Sequence, residues 1–219
     1  MSAGNRGDRT WSKTARERIS VGDSVPKICV YCGSSSGNRA VYQSAAESLA
    51  DELTKRGFDL VYGGSDRGIM GVLANAVLQR GGQVQGVIPT ALYDKEIAHQ
   101  SLTELHVVES MHERKRMMAE LSDGFVALPG GFGTLEEIVE IVTWGQLRFH
   151  DKPCGLLNVG GYFDHLLAYL DHCEAEGFLK PLNRQVMLSA PTATELLDRF
   201  AAYRAPTIEK WAQPGLTKQ

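Results

Sequence analysis

Three times in this chain a short apolar run stops at glycines and gives way to a helical pattern. The first is Lys27-Ile28-Cys29-Val30-Tyr31-Cys32-Gly33, followed by the turn Ser34-Ser35-Ser36-Gly37. The second is Phe58-Asp59-Leu60-Val61-Tyr62, followed by Gly63-Gly64, and the third is Gly124-Phe125-Val126-Ala127-Leu128, followed by Pro129-Gly130-Gly131-Phe132-Gly133-Thr134. Runs this short with apolar side chains on both faces read as buried strands, and the segments after them carry the 3.6-residue period of helices. Further strands are expected at Gln83–Ile88, Leu105–Val108 and Cys154–Asn158. Helices are expected through Ala45 to Leu53, closed by Gly57, and over Gly68–Arg80, Met111–Leu121, Tyr162–Glu176 and Thr192–Tyr203. The stretch after Pro89, with Asp94, Lys95, Glu96 and His99, reads as irregular.

Strand and helix alternate with short connections, which predicts an α/β protein: a mostly parallel, doubly wound sheet with helices on both faces. All three glycine turns leave the carboxyl ends of strands, so they converge on one edge, where such sheets bind ligands near the switch in strand order. A chain of 219 residues is enough for one such domain and too short for two. The expected division is an N-terminal arm at 1–25, polar, mixed in charge and mobile, a nucleotide-binding catalytic domain at 26–205, and a tail at 206–219.

Charge limits the partners. A net charge of -3 with 22% charged residues is ordinary for a soluble protein and argues against a general nucleic-acid binder. No apolar run is long enough to span a bilayer and the N-terminus lacks a signal-peptide core, so a cytoplasmic protein with no membrane partner is expected. Cys29-Val30-Tyr31-Cys32 has the spacing of a zinc knuckle or redox pair. On a strand, however, residues three apart point to opposite faces, and no second pair accompanies them. Cys29, Cys32, Cys154 and Cys173 are therefore read as buried strand cysteines in a reducing compartment, with no metal site.

The third glycine turn carries the most chemistry. Glycines let backbone approach a ligand, and the first N–H groups of a helix have no internal partners, so they can face a phosphate. Glu137 stands in the first turn of the expected helix. Thr134 and Glu137 have the T-x-x-E spacing of a capping box, which is the more economical reading of the glutamate. A carboxylate kept ionised by the helix dipole is also ready to stabilise positive charge, and the two roles are compatible. Gly63-Gly64-Ser65-Asp66-Arg67-Gly68-Ile69-Met70-Gly71 resembles a dinucleotide turn but lacks both G-x-G-x-x-G and the later acidic residue; tight helix–sheet packing and a mononucleotide role fit it equally. Arg114 and Lys115, in Met111-His112-Glu113-Arg114-Lys115-Arg116, are cations near a helix N-terminus, which the dipole disfavours unless something anionic offsets them. Met111, Met117 and Met118 read as core residues.

Met111-His112-Glu113-Arg114-Lys115, then Pro129 to Glu137, then Thr143-Trp144, together resemble the LONELY GUY family of cytokinin riboside monophosphate phosphoribohydrolases, for which "lysine decarboxylase" is an older label. The likeness runs from about 27 to 205. It implies a Rossmann-like single domain, a homo-oligomer that is at least a dimer, no cofactor, and hydrolysis of a nucleoside monophosphate to free base and ribose 5-phosphate. By matching motif positions it implies a catalytic pair, Arg114 and Glu137. It also implies substrate contacts from Glu96, Arg114, Lys115, Gly130, Gly131, Phe132, Gly133, Thr134, Leu135, Glu136 and Thr143. Phe132 stands where many relatives have tyrosine, which removes a hydroxyl but leaves the backbone cradle. The alternative is a non-catalytic nucleotide or molybdenum-cofactor carrier of the same fold. Lysine decarboxylation is disfavoured, since nothing marks a Schiff-base lysine. The aromatics around Trp144, Leu147 and Phe149 exceed one buried stripe and suggest a dimer face.

Overall fold

The computed structural model describes residues 25–93 and 98–206. The expected arm and tail, Val25 and Pro206 apart, lie outside the described residues, and so does Glu96. The strands are β1 (Lys27–Tyr31), β2 (Asp59–Tyr62), β3 (Val84–Pro89), β4 (Glu104–Val108), β5 (Gly124–Ala127), β6 (Cys154–Leu157) and β7 (Met187–Ala190). The helices are α1 (Ala40–Arg56), α2 (Gly68–Gln79), α3 (Thr90–Tyr93), α4 (Met111–Leu121), α5 (Phe132–Gln146), α6 (Asp164–Ala175), α7 (Pro181–Arg184) and α8 (Ala193–Ala202), with a 3-10 turn at Val159–Gly161. The doubly wound sheet is borne out, and every strand pairing in it is parallel.

Strand order is β4-β3-β2-β1-β5-β6-β7. The order reverses beside β1: the chain steps outward from β1 to β4, then returns through α4 to lay β5 on β1's free side. β1 shows why both faces need covering. Ile28, Val30 and Cys32 pack with Leu49 and Leu53 of α1, Leu73 of α2 and Phe200 of α8. Cys29 and Tyr31 point the other way, into Met118 of α4 and Ile138 and Ile141 of α5. The two cysteines thus sit on opposite faces, as their spacing requires. Each fully buried leucine of α1 contributes roughly 1.5–3 kcal/mol by leaving water.

Several expectations fail. Met111, read as a core residue, is exposed at the start of α4. Cys173 is a half-buried residue of α6, not a buried strand cysteine. The stretch after Pro89 opens with the helical turn α3. The edge strand β7 went unpredicted. Trp144 packs against the core while Leu147 and Phe149 stay exposed, so the aromatic excess is only partly on the surface. Among the described residues no helix is long and apolar enough to cross a membrane.

Candidate active site

The three glycine turns meet where the strand order reverses, and Gly33 holds them together. Its N–H donates to Pro129 O at 3.2 Å, and its carbonyl accepts from Ile69 N–H at 3.1 Å. The turn after β1 therefore bonds directly to the turn after β5 and to the start of α2. Gly130 is packed against Gly33 and Thr134, whose hydroxyl occupies the space a β-carbon would need. Only glycine fits that position.

Helix α5 begins earlier than its sequence suggests. Gly131 is the N-cap residue, no side chain caps the helix, and its first turn holds no acidic residue. Thr134 lies inside the helix, 4% exposed, and Glu137 sits in the second turn. The capping-box reading of Thr134 and Glu137 is thereby overturned. A glutamate six positions into a helix cannot reach back to the cap, and the glycine cap leaves the N–H groups of the first turn to face the cleft. The box pattern appears instead at α4, where Ser110 Oγ accepts from Glu113 N–H and Glu113 accepts from Glu109 N–H.

That capped α4 delivers Arg114. The guanidinium is buried, with Nε donating to Val87 O and Nη2 to Gly63 O, both at 3.0 Å. Nη1 lies 3.7 Å from Glu137 Oε1, and the two side chains are only 7% and 10% exposed. Gly63 is glycine because a β-carbon there would strike the Arg114 fork. The arginine is thus locked by strand-end carbonyls, with one edge turned to the carboxylate. The anionic offset expected for this cationic run comes from within the protein. Lys115 is held by Glu136 and Glu140 of α5 at 2.5 and 3.0 Å, and exposed Arg116 lies 4.0 Å from Glu120. Burial pulls the Lys115 ammonium down, but its hydrogen bonds to Glu136 and Glu140 outweigh that and raise it above the ordinary lysine value.

Arg114, Gly131, Phe132, Gly133, Thr134 and Glu137 line one cleft of about 220 Å³. The same cleft is lined by residues the sequence reading did not single out as site residues, among them Tyr31, Ser34, Gly63, Met70 and Met118. Their signal was the other two glycine turns, which leave the same sheet edge. The remaining expected contacts fall elsewhere. Gly130 lies behind the cradle, exposed Leu135 and Glu136 face outward, and Lys115 is engaged by α5. Thr143 Oγ1 donates to Val139 O, three turns along the helix and about 16 Å from its start.

Beneath Glu137 the cleft floor is chemically quiet. Burial, aided by the Glu137 charge, pushes the thiols of Cys29 and Cys32 up, and burial does the same to the Tyr31 phenol, helped by Cys29 and then Glu137. Protonated thiols are poor nucleophiles and poor ligands. Among the described residues no three His, Cys, Asp or Glu side chains gather as metal ligands would. The chemistry available is a carboxylate held by a fixed guanidinium, opposite open helix N–H groups suited to an anion.

Comparison with known proteins places the chain in a family. The pattern of a family described as "possible lysine decarboxylase" matches residues 70–200. A probable cytokinin riboside 5'-monophosphate phosphoribohydrolase of Oryza sativa subsp. japonica is 55% identical over 177 residues, 81% of this chain and 79% of its own. A cytokinin riboside 5'-monophosphate phosphoribohydrolase of Arabidopsis thaliana is 51% identical over 178 residues, 81% of this chain and 78% of its own. Among solved structures, the molybdenum cofactor carrier protein of Chlamydomonas reinhardtii superposes with a TM-score of 0.63 at 19% identity, covering 82% of this chain and 100% of its own. That likeness concerns the fold alone. On sequence, the chain belongs to the family of cytokinin riboside 5'-monophosphate phosphoribohydrolases.

Proposed function

We propose that this protein hydrolyses the N-glycosidic bond of adenosine 5'-monophosphates, plain or N6-modified, releasing the base and ribose 5-phosphate. The observation that carries the reading is the buried Arg114–Glu137 pair at 3.7 Å in the cleft that the open N-terminus of α5 also lines. The phosphate sits on the N–H groups of Gly131 to Thr134, where the helix dipole favours an anion. The cleft is smaller than the ~300 Å³ at which pockets for whole small ligands begin. Sugar and phosphate fill it, and the base reaches past its rim.

Breaking the bond from C1′ to the base sends the electron pair out with the base and leaves positive charge on the sugar. Glu137 lies on the path of that charge and stabilises it, and the same carboxylate orients the water that adds to C1′. The water's oxygen becomes the new hydroxyl, and one of its protons ends on the departing base. Arg114 cannot donate a proton near neutral pH, so its part is to hold the Glu137 side chain in place. The unreactive phosphate anchors the substrate in the cleft, in the ground state and the transition state alike.

The catalytic unit in this reading is residues 26–205, acting in the cytoplasm as a homo-oligomer, most simply a dimer. Leu135, Val139, Leu147 and Phe149, exposed along and just beyond α5, supply the apolar surface for it. The test is chromatography of purified protein incubated with AMP and with isopentenyladenosine monophosphate. Free base from either supports the proposal, and comparing the two turnover rates identifies the preferred substrate. Tight binding with no base released would instead point to a carrier.

A further inference from the structure

A fourth glycine turn leaves the same sheet edge, after β6. Gly160 and Gly161 adopt φ of 59° and 72°, in the left-handed region. Asn158 braces the turn: its N–H donates to Ala190 O, its Oδ1 accepts from Phe163 N–H, and its Nδ2 donates to Asp164. The turn presents Tyr162, whose ring is met edge-on by Tyr42 of α1 and by Phe163. The Tyr162 hydroxyl donates to Gly130 O at 2.6 Å, across 32 residues of sequence.

Gly130 and Gly131 flank the most easily rotated peptide of the phosphate turn, because neither has a β-carbon to restrain it. The peptide is trans, so its C=O and N–H point in opposite directions. Gly131 lines the cleft and Gly130 does not. With the carbonyl taken by Tyr162 on one side, the Gly131 N–H is turned to the other, alongside the open N–H groups of Phe132 and Gly133. A flipped peptide would aim a carbonyl oxygen at the anion in place of a donor.

We propose that Tyr162 is a positioning residue for phosphate recognition: its hydroxyl fixes the orientation of the Gly130–Gly131 peptide and keeps the cradle an array of donors. This rests on the reading of the turn at 129–134 as the phosphate site. It is separate from the Arg114–Glu137 chemistry, whose cleft Tyr162 does not line. Phosphate binding is common to ground and transition states, so losing part of it raises KM and leaves kcat in place.

The experiment compares the full chain with its Tyr162→Phe variant, which keeps the ring packed and removes only the hydroxyl. The expected result is a KM for AMP about fivefold higher with kcat unchanged, the scale of one lost hydrogen bond. Ribose 5-phosphate should weaken as a competitive inhibitor by the same factor, while adenosine, lacking the phosphate, should inhibit both proteins equally. A general loosening of the site would weaken adenosine as well and lower kcat, and that pattern overturns the proposal. So does an unchanged KM in a variant of an active parent, which leaves the hydrolase reading standing. A parent that neither turns over AMP nor binds ribose 5-phosphate overturns both.

Discussion

Replacing Glu137 by glutamine removes one charge and almost no volume, and the structure says what each half of the response should be. At 3.7 Å from Arg114 Nη1, with an effective dielectric constant near 20, unit charges attract by roughly 4–5 kcal/mol. Glutamine keeps an oxygen dipole toward the guanidinium, and Arg114 retains the carbonyls of Gly63 and Val87, so a net loss of ~2 kcal/mol is expected. For a protein of this length that lowers the melting temperature by roughly 4–8 °C. Had Glu137 been part of a capping box, Glu137→Gln would have kept most of the hydrogen bonding and melted with the parent. Activity should fall by about a thousandfold, because the developing sugar cation loses about 4 kcal/mol of stabilisation. Scanning fluorimetry and chromatographic assay of base release measure both, with Glu176→Gln, on an exposed glutamate that does not line the cleft, as control. A Glu137→Gln protein that melts with the parent and releases base at more than about a tenth of its rate would refute the reasoning.

Three further outcomes follow from single contacts. Gly130→Ala places a methyl group on Thr134 and the Gly33 backbone; it should cost about 1–3 kcal/mol and abolish base release, and a variant with parental KM would contradict the tight turn. The buried Tyr62 hydroxyl has no hydrogen-bond partner among the described residues, so Tyr62→Phe should be neutral or stabilise by ~1 kcal/mol, raising the melting temperature by about 2–4 °C; a clear fall would mean the hydroxyl is bonded. His150 has its Nε2 at 2.8 Å from Ile141 O and its Nδ1 accepting from Lys152 N–H, and burial pushes the ring below its ordinary value more than the Ile141 bond lifts it. Its folded value is depressed, so its contribution is full above pH about 6.5 and lost as pH falls through the folded value. The melting temperature should drop less steeply between pH 7 and 5 in His150→Gln than in the parent, and parallel slopes would exclude the ring.

What could be read from the sequence was local. Apolar runs such as Phe125-Val126-Ala127 and the glycines behind them announce strands and turns, because burial on both faces of a parallel sheet leaves little room for polar residues. Their convergence on one edge follows from all strands running the same way. Errors arose where the deciding contact was distant or a side chain was missing. A glycine cap at Gly131 carries no oxygen to mark the helix start, so Thr134 and Glu137 looked like the cap. The ion pairs of Lys115 could not be foreseen because its partners, Glu136 and Glu140, come from another helix. Tyr162 gave no sign at all, since its meaning lies in one bond to a carbonyl 32 residues away. Thr143 shares α5 with the cradle but does not itself line the cleft.

Arg114 also bears on how the domain holds together. It rides on the helix that carries the chain back from the outer strand β4 to the far side of β1, yet it bonds to the ends of β2 and β3. The return crossing is therefore fastened to the half-sheet it has just left, by the same side chain that faces the glutamate of the half about to be built. Neither half can open locally without dismantling the other's charge arrangement. A ligand bound there lowers the population of partly opened forms on both sides of the switch, so it should slow amide hydrogen exchange in β2 and β3 as well as in α5. One buried guanidinium thus links the cooperativity of the fold to occupancy of the cleft.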